Sequence, residues 1–113
     1  MPENSKKVII IGCGVAGPVL ALALHRAGIE SEIFEAKNTL DDDSGLFHYI
    51  SPNGMNVFNA LGIYDKIKNI GHSCNGVIHY NEKGKPFANM DERDEEKIYG
   101  ADSIMIRRGL LTK

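Results

Sequence analysis

Three glycines stand two and three residues apart, directly after an apolar run near the start of the chain. The run Val8–Ile11 is rich in β-branched residues, and Gly12, Gly14 and Gly17 follow it. A strand, a glycine-rich turn and a helix in this order can hold the pyrophosphate of a dinucleotide, because the helix N-terminus presents free N–H groups to it. Gly12 allows the tight turn, Gly14 leaves room for the phosphates, and Gly17 lets helix and strand pack closely.

An acidic residue stands where a second strand is expected to end. Glu35 closes the predicted strand Glu32–Glu35, 18 residues after Gly17. A carboxylate at this place can accept hydrogen bonds from ribose hydroxyls, and it repels a 2′-phosphate, so it disfavours NADP. The alternative is a glycine-rich turn without a ligand and a surface glutamate. The agreement of strand, glycines, helix and acid favours the nucleotide site, but it does not separate FAD from NAD.

The remaining pattern predicts an α/β chain. A helix is expected over Val15–Ala27, and because it is apolar almost all round we expect it to be buried, as we expect the strand Val8–Ile11 to be buried on both faces. Strands are predicted at 46–50, 77–80, 87–90 and 103–106, and a charged loop at 91–97. A helix starts at Ser51–Pro52 and is interrupted by Gly62, further helical turns cover 63–70, and residues 107–113 begin another helix. The pattern is typical of a Rossmann-like fold that is incomplete, so residues 1–113 are expected to form the N-terminal portion of a dinucleotide-binding domain.

Composition bounds the class of protein. The 113 residues carry 13 Lys and Arg against 15 Asp and Glu, and 42% of them are hydrophobic, which is ordinary globular usage. The net charge of −2 indicates no excess of basic residues of the kind that binds nucleic acid. No apolar run is long enough to predict a membrane helix. Two cysteines are too few for a disulfide scaffold, so we expect a cytoplasmic protein. The four histidines have no metal-ligand spacing, and no metal site is predicted.

Three segments together resemble one enzyme family. They are residues 8–35, residues 45–67 (GLFHYISPNGMNVFNALGIYDKI) and residues 106–111 (IRRGLL). Their order and spacing resemble the FAD-dependent aromatic hydroxylases, single-component flavoprotein monooxygenases of the para-hydroxybenzoate hydroxylase kind. The tetracycline-inactivating monooxygenases are one branch to which the chain is similar. One departure is the run at 41–44 (DDDS), where many relatives carry an arginine close to the flavin.

The resemblance implies a cofactor and roles for residues. FAD is the implied cofactor, NAD(P)H and oxygen are the implied co-substrates, and an aromatic or polyketide-like small molecule is the implied substrate. The resemblance assigns the pyrophosphate to the loop residues Gly12, Cys13, Gly14, Val15, Ala16 and Gly17. It assigns the adenosine ribose to Glu35 and the adenosine end to Lys37. It places Gly45 and Leu46 at the flavin edge, and Arg107 at the phosphate or ribitol. No catalytic side chain is predicted within residues 1–113.

Two alternatives stay open. One is a non-catalytic nucleotide-binding fragment, for which self-association or a partner would cover the open sheet. The other is a domain of an NAD-dependent dehydrogenase. The hairpin predicted between Val77 and Met90 argues against the second, since a dehydrogenase more often repeats strand–helix units through this region.

Overall fold

The computed structural model describes residues 6–38 and 45–112. They fall into two compact units. Unit 1 holds the described residues of Met1–Leu46 and of Arg107–Lys113, and unit 2 is Phe47–Ile106. The acidic run at 41–44 lies outside the described residues.

Unit 1 begins with the predicted strand–helix–strand arrangement. Strand β1 (Val8–Ile11) pairs in parallel with β2 (Ser31–Phe34), and helix α1 (Ala16–Arg26) connects them. Ile10 lies beside Ile33 on the sheet face that α1 covers, and it is buried. The parallel start of an α/β fold is therefore confirmed, and it brings the carboxyl ends of both strands to one edge.

The predicted burial of this unit is wrong for the described residues. Alternate residues of the sheet point away from α1, and Ile11 is 81% exposed on that face. No residue of α1 is buried, and Leu20 is 47% exposed. The physical reason is that two strands cover only one side of an apolar helix, and α1 covers only one face of the sheet. Apolar patterning reports what a segment can bury and does not report what is present to cover it.

Unit 2 contains the remaining predicted strands, in one three-stranded sheet and one antiparallel hairpin. Its elements are β3 (Phe47–Ile50), α2 (Pro52–Ala60), α3 (Tyr64–Ile70), β4 (His72–Ser73), β5 (Gly76–Tyr80), β6 (Pro86–Asp91), α4 (Glu95–Tyr99) and β7 (Ile104–Arg107). The 3-10 helix that follows (Arg108–Thr112) belongs to unit 1. β3, β7 and β4 form one sheet in that order, and β5 pairs with β6 as the predicted hairpin. The expectation of a charged loop at 91–97 is wrong in part, because α4 begins inside it.

Helices α2 and α3 are placed as the sequence predicts. Ser51 takes the extended backbone of an N-cap and Pro52 opens α2, although the Ser51 hydroxyl contacts the Asn53 side chain and makes no cap hydrogen bond. Met55 and Phe58 of α2 and Ile67 of α3 are buried. Both helices therefore pack their apolar side into the core of unit 2, where Ile104 of β7 is fully buried.

A polar network lies inside this core. The Tyr49 hydroxyl donates to Oε1 of Glu92 (2.8 Å) and lies 2.7 Å from Oγ of Ser103, which in turn donates to Oε2 of Glu95. Ser103 is fully buried and Glu92 is 9% exposed. Burial raises the pKa of the Tyr49 hydroxyl above its ordinary value, so the neutral hydroxyl is the form that holds the network.

Removing one hydroxyl tests the weight of this network. Tyr49→Phe leaves Oε1 of Glu92 without its donor, and Oε2 of the same side chain is already buried without a partner among the described residues. We expect the free energy of unfolding to fall by about 1–3 kcal/mol, measured by urea denaturation. Tyr80→Phe is the control, because Tyr80 is 58% exposed and should change little. Equal effects of the two substitutions would show that the network contributes nothing specific.

Candidate functional site

The loop after β1 turns sharply at Gly12. Its φ is +100°, a conformation that side chains disfavour, and its N–H donates to the carbonyl oxygen of Phe34 (2.7 Å). This hydrogen bond continues the pairing of β1 with β2 by one residue. The loop therefore leaves the sheet beside the end of β2, where Glu35 stands.

The other two glycines of the loop have different surroundings. A Cβ on Gly17 would lie 2.2 Å from the carbonyl oxygen of Gly12 and 3.4 Å from Cγ2 of Ile10, so α1 can approach the strand only with hydrogen at this position. A Cβ on Gly14 would meet no atom within 4 Å. The missing side chain at Gly14 thus leaves open space over the loop, which is the space a phosphate group needs.

Glu35 closes the loop from the side of β2. Its Oε2 accepts the N–H of Cys13 (2.7 Å), and its Oε1 accepts the N–H of Lys37 (2.9 Å). These hydrogen bonds hold the pKa of the Glu35 carboxyl below its ordinary value of 4.5, and the bond from Cys13 has the larger effect. The carboxylate is therefore ionised at neutral pH, and each oxygen retains a lone pair for a further donor.

The N-terminus of α1 points out of this loop without a cap. Val15 makes no side-chain cap hydrogen bond, and the first turn carries no acidic residue. Within the described residues, the N–H groups of Gly14, Val15, Ala16 and Gly17 have no hydrogen-bond acceptor. Such N–H groups and the positive end of the helix dipole together favour an anion.

The structure brings the predicted residues together in two groups. The loop residues 12–17 meet Glu35, and Lys37 joins them through its backbone N–H. The positive charge of the Lys37 ammonium also helps to lower the pKa of Glu35. Gly45 and Leu46 instead meet Arg108, whose Cδ lies 3.2 Å from a Cβ built on Gly45 and whose N–H donates to the Leu46 carbonyl oxygen (3.1 Å).

Sequence reasoning overlooked Arg108 as the neighbour of Gly45. Arg107, the predicted arginine, ends β7 and is exposed. The two arginines are adjacent and of the same type, so only the end of the strand, which sets the direction of each side chain, distinguishes them.

The described residues contain no metal-binding cluster, no membrane-spanning helix and no disulfide. Within them, no group of three or more His, Cys, Asp or Glu side chains is arranged to hold a metal ion. Across the same ranges, no helix has the length and apolar character to cross a membrane. Cys13 and Cys74 are both free thiols.

Comparison with known proteins identifies the family of this fold and site. Residues 5–110 match the family described as FAD binding domain, and the chain belongs to it. It is 38% identical over 107 residues to the FAD-dependent monooxygenase ausM of Penicillium brasilianum. The matched region covers 94% of this chain and 22% of that protein. The chain thus spans about a fifth of the length of this relative.

Solved structures share the fold. HpxO of Klebsiella pneumoniae, complexed with FAD and uric acid, superposes with a TM-score of 0.78 at 22% identity, over 94% of this chain and 26% of that one. The tetracycline destructase Tet(51) superposes with a TM-score of 0.64 at 23% identity, over 96% and 26%. The expected α/β fold and the expected cofactor, FAD, are therefore confirmed, and so is the resemblance to flavoprotein monooxygenases.

A methyl group distinguishes the packing glycine from the open one. Gly17→Ala places Cβ against the Gly12 carbonyl oxygen, so we expect α1 to shift and the free energy of unfolding to fall by about 1–3 kcal/mol. Gly14→Ala is the matched control, because its Cβ meets only open space and its φ is not positive. Thermal unfolding of the two variants measures the difference, and equal stability would contradict the close approach at Gly17.

Proposed function

We propose that this chain binds the adenosine diphosphate part of FAD through the loop 12–17 and Glu35. The observation that carries the proposal is one arrangement: the uncapped N-terminus of α1, the open space over Gly14, and the ionised Glu35 beside Cys13. The first two suit a pyrophosphate, and the third suits a hydroxyl-bearing ribose. The residues present therefore fit the cofactor of the family to which the chain belongs.

Each element of the site has a separate task in this binding. The free N–H groups at residues 14–17 donate to phosphate oxygens, and the helix dipole adds to the attraction. Glu35 accepts ribose hydroxyls with the lone pairs that Cys13 and Lys37 leave open. The Lys37 ammonium lies near the adenosine end. Cys13 contributes its backbone N–H, which donates to Glu35 and so holds the carboxylate beside the loop.

A second group of residues is proposed for the flavin end. Gly45 and Leu46 line the ring edge, and Arg107 supplies paired donors to the phosphate or ribitol. Arg108, which contacts Gly45 in the structure, keeps that glycine and Leu46 in place. FAD supplies the redox chemistry when bound, and the chain's own residues bind and orient it and exclude water from it.

We infer that the longer protein is a flavin-dependent monooxygenase that uses NAD(P)H and oxygen. Relatives such as ausM are named FAD-dependent monooxygenases, and the structure of HpxO is complexed with FAD and uric acid. An aromatic or polyketide-like small molecule is the proposed substrate class. The free thiols are compatible with the proposed cytoplasmic location. No catalytic side chain is assigned to residues 1–113.

Titration of the chain with FAD and separately with NAD tests the proposal. Saturable FAD binding, followed by flavin fluorescence and calorimetry, is expected, and Gly14→Val should weaken it at least about tenfold because the side chain fills the phosphate space. Circular dichroism of the variant shows whether it is folded. Preference for NAD would support the dehydrogenase alternative, and binding of neither by a folded chain would overturn the proposal.

Replacing the glutamate tests the ribose contact. Glu35→Gln loses the charge and one acceptor, so FAD affinity should fall roughly ten- to a hundredfold, as expected for hydrogen bonds to a charged group. Glu30→Gln is the control, because Glu30 lies outside the loop and its carboxylate pairs with Lys7 within the described part of the chain. Calorimetric affinities that match for both variants would refute the role of Glu35.

The same carboxylate predicts how binding depends on pH. Because the pKa of Glu35 is lowered in the folded chain, its contribution is fully present above the ordinary value of 4.5 and is lost only as pH falls through the lowered pKa. FAD affinity should therefore stay level from about pH 7 down to the ordinary value of 4.5 and fall only below it, as the Glu35 carboxylate becomes protonated. The fall should be absent in Glu35→Gln, and an equal fall in that variant would assign the titration to another group.

A further inference from the structure

A second cavity lies in unit 2, between the start of α2 and α4. Its volume is about 370 Å³, and its walls are formed by Pro52, Asn53, Asn56, Glu95 and Tyr99. Pockets that hold small organic molecules have volumes from about 300 to 1,000 Å³, so this one lies at the small end of that range. None of these residues belongs to the proposed FAD site.

Glu95 has one oxygen fixed and one oxygen free. Oε2 accepts a hydrogen bond from the fully buried Ser103, which is itself held by Tyr49. Oε1 has no partner among the described residues. A carboxylate that is anchored from the core and only half exposed is oriented before any ligand arrives, which lowers the entropic cost of binding.

The two asparagines complete the polar part of the wall. Asn56 donates through Nδ2 to the Tyr99 carbonyl oxygen (3.1 Å), which leaves its Oδ1 as a free acceptor. Asn53 uses Oδ1 towards Ser51 and the Gly54 N–H (3.0 Å), which leaves its Nδ2 as a free donor. The cavity therefore offers a charged acceptor at Glu95, a neutral acceptor at Asn56, and the remaining amide N–H groups of Asn53 and Asn56 as donors.

The apolar part of the wall and the local charge complete the description. Pro52 and the half-exposed ring of Tyr99 provide apolar surface, and an aromatic face attracts a cation. Residues 91–97 carry five acidic side chains against two basic ones. Asp91 is paired with Arg93 and Glu96 with Lys68, which leaves three carboxylates (Glu92, Asp94 and Glu95) against Lys97. The field at the cavity is therefore negative, and anions are disfavoured there.

From this arrangement we propose that the cavity binds a small organic ammonium ion. The charged N–H₃ group donates to Glu95 and to Oδ1 of Asn56, and the carbon chain lies against Pro52 and the Tyr99 ring. A bare metal ion does not fit, because the described residues around Glu95 provide no third metal-ligating side chain. The proposal concerns unit 2 alone and does not depend on FAD binding.

The test uses the 113-residue chain without FAD and three probes of similar size. n-Butylammonium, n-butanol and butyrate are titrated separately, and the side-chain amide signals of Asn53 and Asn56 are followed by ¹H–¹⁵N NMR. Saturable shifts with n-butylammonium at millimolar concentration are expected, with at most weak, linear shifts from the other two probes. Equal binding of n-butanol would mean an apolar cavity only, and no saturation by about 50 mM n-butylammonium would also overturn the proposal.

Two variants connect the binding to the named residues. Glu95→Gln keeps an acceptor for Ser103 but removes the charge, and it should weaken n-butylammonium binding at least about tenfold. Tyr99→Leu should weaken it about threefold through loss of the aromatic face, and it decides the matter if Glu95→Gln does not fold. The control is Glu82→Gln, an exposed glutamate in the β5–β6 turn. An effect of Glu95→Gln no larger than that of Glu82→Gln would overturn the assignment.

Discussion

The hydrogen bond from the Cys13 N–H to Glu35 joins the parts of the chain that we propose to bind the nucleotide. It joins the loop after β1 to the end of β2 across 22 residues of sequence. The loop can reach this place only because Gly12 adopts a positive φ and Gly17 lets α1 lie against the Gly12 carbonyl. A side chain at Gly17 would move the helix whose N-terminus must face the phosphates. Packing and binding therefore impose the same requirement on this loop.

The carboxylate of Glu35 also shows how one charge serves two purposes. A charge-assisted hydrogen bond is stronger than a neutral one, so Glu35 holds the loop firmly even though it is exposed to solvent. The same ionised group retains lone pairs that a ribose can use. The loop is thus ordered without a ligand, and in the proposed complex the ribose would add donors to the carboxylate without displacing those already present. This pre-organisation lowers the entropic cost of binding, because the loop does not have to become ordered when the ligand arrives.

Local sequence was sufficient for the parts of the structure that local chemistry determines. The glycine spacing predicted the turn, Pro52 predicted the start of α2, and the turn-rich residues 81–86 predicted the hairpin. It was insufficient where distant residues meet: the contacts of Tyr49 with Glu92 and Ser103 join positions 43 and 54 residues apart, and no local pattern announces them. The exposure of α1 was missed for a related reason, since an apolar helix looks the same whether or not neighbours cover it. Of the predicted site, the loop and Glu35 come together, whereas the choice between Arg107 and Arg108 needed the end of β7.

The polar core of unit 2 connects stability to the second cavity. Tyr49 and Ser103 each have one hydroxyl hydrogen, yet they make three close contacts, two of them to carboxyl groups. Two hydroxyl hydrogens cannot serve three contacts, so the network holds more acceptors than donors. Glu95 is the member of this network that reaches the cavity wall. A cation bound there would offset the excess of acceptors at the outer end, and this links the buried hydroxyls to the ligand class that the cavity selects.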